Sequence, residues 1–481
     1  CSEGETSNME NQKLDDYFGY TEAGSSLEGE MRAGVTTFLT MAYILVVNPG
    51  MLSIAGIPFD DALFATAMAA FVGCTIMGLW ANQPYALAPG MGLNAYFVFS
   101  VVLTQGVAWE LALAAVLVEG VLFMIISLPQ VGWRSKMINA IPKDLKIATM
   151  AGIGMFLAII GLREMGWIRD DFATLVNIGQ HEMWTHTSGE LWAMVGLIAI
   201  AVMMARGMKG AIIYGVMGVT ALAWVMNAMG MAVTDPYNGN AEVVAPALDS
   251  IFSTDGVSTG AVGSALGAFS DIGDNLSAFL LVMITFLFVD IFDTAGTLYG
   301  VGKMAGKVDD DDNIESADEA FMADAGATIV GALCGTSTTT TYIESAAGIE
   351  EGGKTGLTAM VVGVLMLMGM FLSGLLQAIP TFAVAPALVV VGAMMMRGAA
   401  DIDWNDKEMA IPAFITMVMM PFTYSIADGI AWGIIAYVAI KVGMGKMDQI
   451  NKVMGTLFVL MVMFYLGPGH ETTFEWLFGH F

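Results

Sequence analysis

The stretch Gly335-Thr-Ser-Thr-Thr-Thr-Thr-Tyr-Ile-Glu-Ser-Ala-Ala-Gly348 decides how this chain folds. Six consecutive hydroxyl residues, Thr336 to Thr341, precede Glu344, with hydrophobic segments on either side. β-Branched threonines crowd a helix and suit an extended backbone. At membrane depth such a run leaves backbone groups unpaired unless it is buried in protein or lines a cavity. An ionisable Glu in that setting is costly and by default marks a site. The competing reading is an ordinary polar loop between helices, so the surroundings have to decide.

The surroundings are those of a membrane protein. Of 481 residues, 56% are hydrophobic and 13% charged, and mean hydropathy is +0.69; soluble proteins carry about 25% charged residues. Apolar stretches of about 20 residues recur along the chain, which defines a polytopic class. The 56 glycines and 40 methionines suit closely packed, adaptable helices. The net charge of −27 sits mainly in loops and at the amino terminus, as at Asp309 to Asp312, and excludes nucleic-acid binding as a main role. An acidic, lysine-poor periphery fits a saline habitat. Cys1, Cys74 and Cys334 have neither metal-ligand nor redox spacing, and no disulfide is expected. Cys1 stands where an initiator Met is expected, which suggests processing or an incomplete start. No secretory signal precedes the first long apolar segment, so that segment is expected to remain as a membrane helix.

Working outward, the sequence predicts a polar, acidic tail over 1–29 with an amphipathic stretch, then fourteen segments. The first two run near Met31–Leu52 and Asp61–Ala81. The third is interrupted at Tyr85-Ala-Leu-Ala-Pro-Gly-Met-Gly-Leu-Asn-Ala-Tyr96, where Pro89, Gly90 and Gly92 predict extended backbone before a helix that starts near Asn94. The fourth runs from Trp109 to Leu128, and five to seven lie near 145–162, 190–206 and 210–229. Residues 231–274 hold six acids, and no Lys or Arg occurs between Lys209 and Lys303. Segment eight covers Leu276–Val301, nine Phe321–Cys334, and ten the threonine run. Eleven and twelve span Leu357–Ile379 and Val384–Met396, with thirteen and fourteen near 409–422 and 426–443. The apolar run Met454–Leu466 reads either as a surface helix or as an extra span.

With the amino terminus inside, the inner loops collect most basic residues, among them Arg134, Lys136, Lys143, Lys303 and Lys354, with Arg163 and Arg169 as exceptions. Segments three and ten, both interrupted, hold equivalent places in two halves of seven spans, and odd-numbered halves must run in opposite directions. Paired broken helices in an inverted repeat point to a transporter's midplane site.

Segment eight carries Asp290, Asp293 and Thr297 at helical spacing in an apolar run, which places the two carboxyls near one face. With no Lys or Arg nearby they are unlike a simple ion pair, and one at least is expected to face a polar cavity. Glu119 and Glu164 read as structural or interfacial acids. His181, His186, His470 and His480 fall in loops or the tail, so neither an intramembrane histidine relay nor a histidine metal site is expected. There is no P-loop and no nucleophile–base set, hence no enzyme, cofactor or metal is predicted.

Ala88-Pro-Gly-Met-Gly-Leu-Asn-Ala-Tyr-Phe97, Phe288-Val-Asp-Ile-Phe-Asp-Thr-Ala-Gly-Thr297 and the Gly335–Gly348 stretch resemble the AzgA-like purine permeases. Gly352-Gly-Lys-Thr-Gly-Leu-Thr358 and Pro421-Phe-Thr-Tyr-Ser-Ile-Ala-Asp-Gly429 do so too. That group belongs to the xanthine/uracil permease and nucleobase–ascorbate transporter superfamily, and the likeness runs from about residue 30 to 443.

The resemblance implies an all-α polytopic protein of fourteen spans in two inverted repeats. It implies a core domain over 30–129 and 275–379 and a gate domain over 130–230 and 380–446, while the acidic loop at 231–274, expected outside, and the tail at 447–481 match the family less clearly. It places the substrate acids at Asp293 and Glu344 and the polar residue of segment three at Asn94, beside Gly92. Candidate substrate-binding residues are then Asp293, Glu344, Asn94, Gly92, Thr297, Thr341 and Ser345, and candidate proton-coupling groups Glu344, Asp293 and Asp290. The implied activity is import of adenine, guanine and hypoxanthine by proton symport across the plasma membrane, with the amino terminus cytoplasmic. A purine offers N–H donors and ring-nitrogen acceptors that carboxylates and an amide can read. A carboxyl partly out of water holds its proton more readily, which suits coupling. The expected partners are a purine nucleobase, H⁺ with Na⁺ as its rival, and the lipid bilayer; a homodimer stays open. Uracil, xanthine or another nucleobase is the alternative cargo, and an anion transporter of the same architecture the more distant one.

Overall fold

The structure is a computed structural model that describes residues 11–179, 185–239, 241–311, 313–467 and 476–477. Cys1, His181, His470 and His480 lie outside the described residues. Helix α1 (Leu27–Met41) is capped by the Ser26 hydroxyl, which accepts from Gly29 N, and α2 (Ile44–Ile54) continues the same rod. Helix α3 (Phe59–Ile76) leads to the third segment, made of strand β1 (Leu87–Pro89), α4 (Met91–Ala95) and the π-helical Tyr96–Thr104. Helices α5 (Trp109–Ser127), α6 (Lys143–Glu164), α7 (Gly189–Ala205) and α8 (Ala211–Ala228) complete the first half.

The second half repeats the order. It contains α9 (Leu276–Met304), α10 (Ala317–Cys334), strand β2 (Thr339–Thr341) with α11 (Ser345–Glu350), and α12 (Gly356–Met368). Helices α13 (Thr381–Met395), α14 (Lys407–Thr423) and α15 (Ile426–Gly443) follow. Among the described residues nine helices are long and apolar enough to cross a bilayer, and shorter apolar helices accompany them. The molecule is an all-α polytopic membrane protein. The final helix, α16 (Lys452–Tyr465), has 14 residues, about 21 Å of rise against the ~30 Å of a hydrocarbon core. It packs on α15, where the Tyr465 hydroxyl donates to Asp428, so the last apolar run is an edge helix and not a full span.

The two interrupted segments solve each other's backbone problem. β1 and β2 pair antiparallel, with Leu87 opposite Thr341, Ala88 opposite Thr340 and Pro89 opposite Thr339. Gly90 N donates to Thr338 O and Tyr342 N to Ala86 O, both at 2.9 Å, extending the ladder at each end. Buried backbone groups that helices cannot satisfy are thereby paired across the two halves. The threonines all lie buried in protein, so the polar-loop reading of the Thr336–Thr341 run fails. The third segment begins to wind at Met91, earlier than the expected Asn94, because Gly90 is the last extended residue and Asn94 N already donates to Gly90 O at 2.8 Å.

Helix packing falls into two groups. α10 packs on α3 and α5, α12 on α1 and α3, and α9 on α5. Separately, α6 packs on α13 and α14, α14 on α15, and α7 on α8 and α13. α9 meets α6 where the groups face each other. Within the polar tail, Phe18 and Tyr20 are buried against Leu357. Just beyond, the fully buried Glu30 carboxylate accepts from Lys354 N at 2.9 Å, Thr355 N at 3.2 Å and Thr358 Oγ1 at 2.7 Å. This is what the Gly352–Thr358 motif serves: its amides wrap an acid from the first helix.

Candidate functional site

Where β1 and β2 meet α9, α6 and α13, a cavity of about 40 Å³ opens. That is room for a few waters and too narrow for a fused two-ring base without some retreat of its walls. Its polar lining is Asp293 and Thr297 from α9, Thr340, Thr341 and Glu344 from the threonine stretch, and Tyr43; Ile153, Leu157, Val391 and Met395 form the apolar wall. Tyr43, fully buried between α1 and α2, donates its hydroxyl to Glu344 Oε1 at 2.5 Å. Thr297 Oγ1 donates to Asp293 O at 2.9 Å, which leaves the Asp293 carboxyl directed by the helix and not by the threonine. Gly90 and Gly92 bring bare backbone to the rim, and a Cβ on Gly92 would lie 2.5 Å from Ile153 Cγ2. Only glycine lets α4 approach α6 that closely.

Five of the sequence-derived substrate residues thus come together: Asp293, Glu344, Gly92, Thr297 and Thr341. Two do not. Asn94 is fully buried behind the rim and donates through Nδ2 to Asn48 Oδ1 at 2.5 Å. Asn48 Nδ2 in turn donates to Thr66 Oγ1 and Thr336 Oγ1, so Asn94 ties segments one, two and ten together. Ser345 Oγ accepts from Ala86 N at 2.9 Å and serves the strand crossing. Asp290 also parts from Asp293. Three residues of helix turn side chains about 60° apart, which suffices to aim Asp293 at the cavity and Asp290 at the neighbouring α5.

Sequence reasoning missed four residues around the cavity. Asp324, fully buried in α10, accepts from Thr341 Oγ1 at 2.9 Å and from Thr341 N at 3.3 Å, and so anchors the floor. Glu119, read as structural or interfacial, is fully buried in mid-α5 and faces Asp290. Both are acids inside apolar helices, the same signal that singled out Asp290. Tyr43 and Asn48 carried no such signal.

A larger cavity flanks each end of the small one. The first, about 410 Å³, is lined by Arg134, Lys143, Lys146 and Lys303 along with Asp401. The second, about 800 Å³, holds Glu164, Asp235 and Glu242 and no Lys or Arg. They lie at opposite ends of α6, whose 22 residues rise about 33 Å. In the acidic one, burial pushes the Asp235 carboxyl up, while hydrogen bonds from Thr381 N at 2.8 Å and Tyr237 N at 3.2 Å oppose the shift.

A polar pocket on crossed, broken segments between two helix groups, with a vestibule at each end, defines a membrane transporter. The chain belongs to the Permease family, whose model matches residues 28–432. It is 39% identical over 460 residues to a guanine/hypoxanthine permease of Bacillus subtilis, covering 94% of this chain and 99% of that one. An adenine permease of Escherichia coli is 36% identical over 455 residues, 94% of this chain and 96% of that one. Among solved structures, the transmembrane domain of a cyanobacterial bicarbonate transporter superposes with a TM-score of 0.60 at 15% identity, covering 86% of this chain and 97% of that one. That likeness shows the fold. The family is one of transporters and not of enzymes.

Proposed function

We propose that the chain imports purine nucleobases, among adenine, guanine and hypoxanthine, by H⁺ symport across the plasma membrane. The observation that carries this reading is the pairing of Asp293 and Glu344 across one cavity whose lining includes no Lys or Arg. Two carboxyls accept from the N–H edges of a flat heterocycle, and the open backbone at Gly90 to Gly92 adds close contact. An anion would meet only like charge there. The names of the relatives, guanine/hypoxanthine and adenine permeases, point the same way.

In this reading α1–α5 and α9–α12 act as a core domain and α6–α8 with α13–α15 as a gate, divided where the packing divides. The gate's Ile153, Leu157, Val391 and Met395 close the cavity, and their retreat admits the base. The basic vestibule faces the cytoplasm with the amino terminus, and the acidic one faces outside, as the distribution of Lys and Arg argues. Asp293, Glu344 and Asp290 are the coupling acids.

The test is competition of labelled hypoxanthine uptake by unlabelled nucleobases, with and without a proton ionophore. Adenine, guanine and hypoxanthine should compete, uracil and xanthine should not, and the ionophore should collapse accumulation. Accumulation that needs Na⁺ and ignores the pH gradient refutes the proton assignment, and failure of every purine to compete refutes the cargo.

A further inference from the structure

Behind the cavity, Glu119 of α5 and Asp290 of α9 are both fully buried and face each other. Among the described residues Glu119 Oε1, Glu119 Oε2 and Asp290 Oδ2 have no hydrogen-bond partner. The other titratable groups facing Asp290 are Asp293 and Asp324, both acids. Two carboxylates have no hydrogen to share and repel, so a contact of this kind requires a proton on at least one of them.

The pair has an outlet. Thr294 Oγ1 donates to Asp290 Oδ1 at 3.3 Å, lies 3.3 Å from Thr340 Oγ1, and Thr340 Oγ1 reaches Asp324 Oδ2 at 3.4 Å. Two hydroxyl hydrogens serve three contacts, so both point toward Asp290 when it is ionised and toward Asp324 when that group is. Thr340 itself lines the cavity.

We propose that Glu119 and Asp290 form a proton-binding site which exchanges one proton with Asp324 through Thr294 and Thr340 and thereby couples H⁺ to the purine. Loaded, the pair carries two protons. On release, Asp290 gives its proton to Thr294, Thr294 passes its own to Thr340, and Thr340 passes its own to Asp324. Each hydroxyl ends with one hydrogen, and the Glu119 O–H stays to donate to the Asp290 carboxylate left behind. Glu119 is thus a positioning residue, acting through Asp290. The role rests on the proton-symport reading above.

Proteoliposomes with the membrane potential clamped test it, by comparing purine accumulation under a one-unit pH gradient with purine–purine exchange at equal pH. One proton per purine gives about tenfold accumulation for one pH unit. In T294V, which keeps shape and cuts the relay, accumulation should fall to about one while exchange persists. E119M, without a donor, should behave likewise, and E119Q, whose amide still donates, should keep accumulating. Parental accumulation in T294V refutes the relay, and so does joint loss of exchange and thermal stability in E119M, which would mark a purely structural clamp. A parental protein that exchanges purine but ignores the gradient refutes proton symport and this role together. One that exchanges no purine refutes the cargo and, with it, the role. Coupling that is intact in both the parent and T294V refutes the role alone.

Discussion

Tyr43→Phe removes one hydroxyl and almost nothing else. The ring is fully buried between α1 and α2, and its O–H donates to Glu344 Oε1 at 2.5 Å inside the cavity. Phenylalanine keeps the ring's shape, so packing loss is small, and the buried Glu344 carboxyl loses a side-chain donor. A buried acceptor left without its donor costs about 1–3 kcal/mol, which is roughly 5- to 150-fold in affinity. With Glu344 facing the base in the proposed site, the loss should appear as a 5- to 150-fold rise in the KM of purine uptake, about 1–3 kcal/mol of binding. The maximal rate should change less, and the melting temperature of the purified protein should move little. Uptake kinetics over a concentration series, set beside thermal unfolding in detergent, separate the two effects. An unchanged KM would show that Tyr43 does not orient Glu344 for substrate.

Asp293→Ala and Glu344→Ala should each abolish purine uptake while the protein still reaches the membrane; normal uptake in either variant removes that residue from the site. Asn94→Ala should lower thermal stability by about 1–3 kcal/mol, since Asn48 Oδ1 loses its donor, and leave the order of preferred purines unchanged. A reordered profile would bring Asn94 back into the pocket. Gly92→Ala places a methyl 2.5 Å from Ile153 Cγ2 and should cost about 1–3 kcal/mol as α4 and α6 are forced apart. Uptake should fall sharply in this variant, and full uptake would refute the close approach.

The fold was legible where local chemistry is unambiguous. A β-branched run amid apolar segments favours buried strand or cavity wall over a polar loop, and Thr339 to Thr341 form strand β2. Glu344 and Asp293 were legible for the same reason, as acids too costly for lipid. What stayed hidden was long-range. Tyr43 meets Glu344 across 301 residues, and Asn94 meets Asn48 across 46. No periodicity encodes such partners; they exist only once segments distant in sequence pack together. Glu119 and Asp324 are a different failure. Each is a lone acid in an apolar helix, and the cost argument applied to Asp290 reaches them equally. Spacing made Asp290 and Asp293 look like a pair, and isolation made Glu119 look structural. Helix geometry turns Asp290 toward Glu119 and Asp293 toward the cavity.

The choice of cargo turns on the site and not on the architecture, because a bicarbonate transporter's membrane domain shares this fold at 15% identity. Folds of this kind host different chemistries, so the lining residues must decide. An anion needs donors or positive charge at the midplane. Here Asp293 and Glu344 stand in the same small space and would repel it. The basic residues Lys143, Lys146 and Lys303 collect instead in one vestibule, at the end of α6 away from Glu164. Positive charge at the mouth with carboxyls at the centre is the wrong order for an anion site. It suits a neutral heterocycle that donates hydrogen bonds, and a proton that makes the central acids tolerable while the gate is shut.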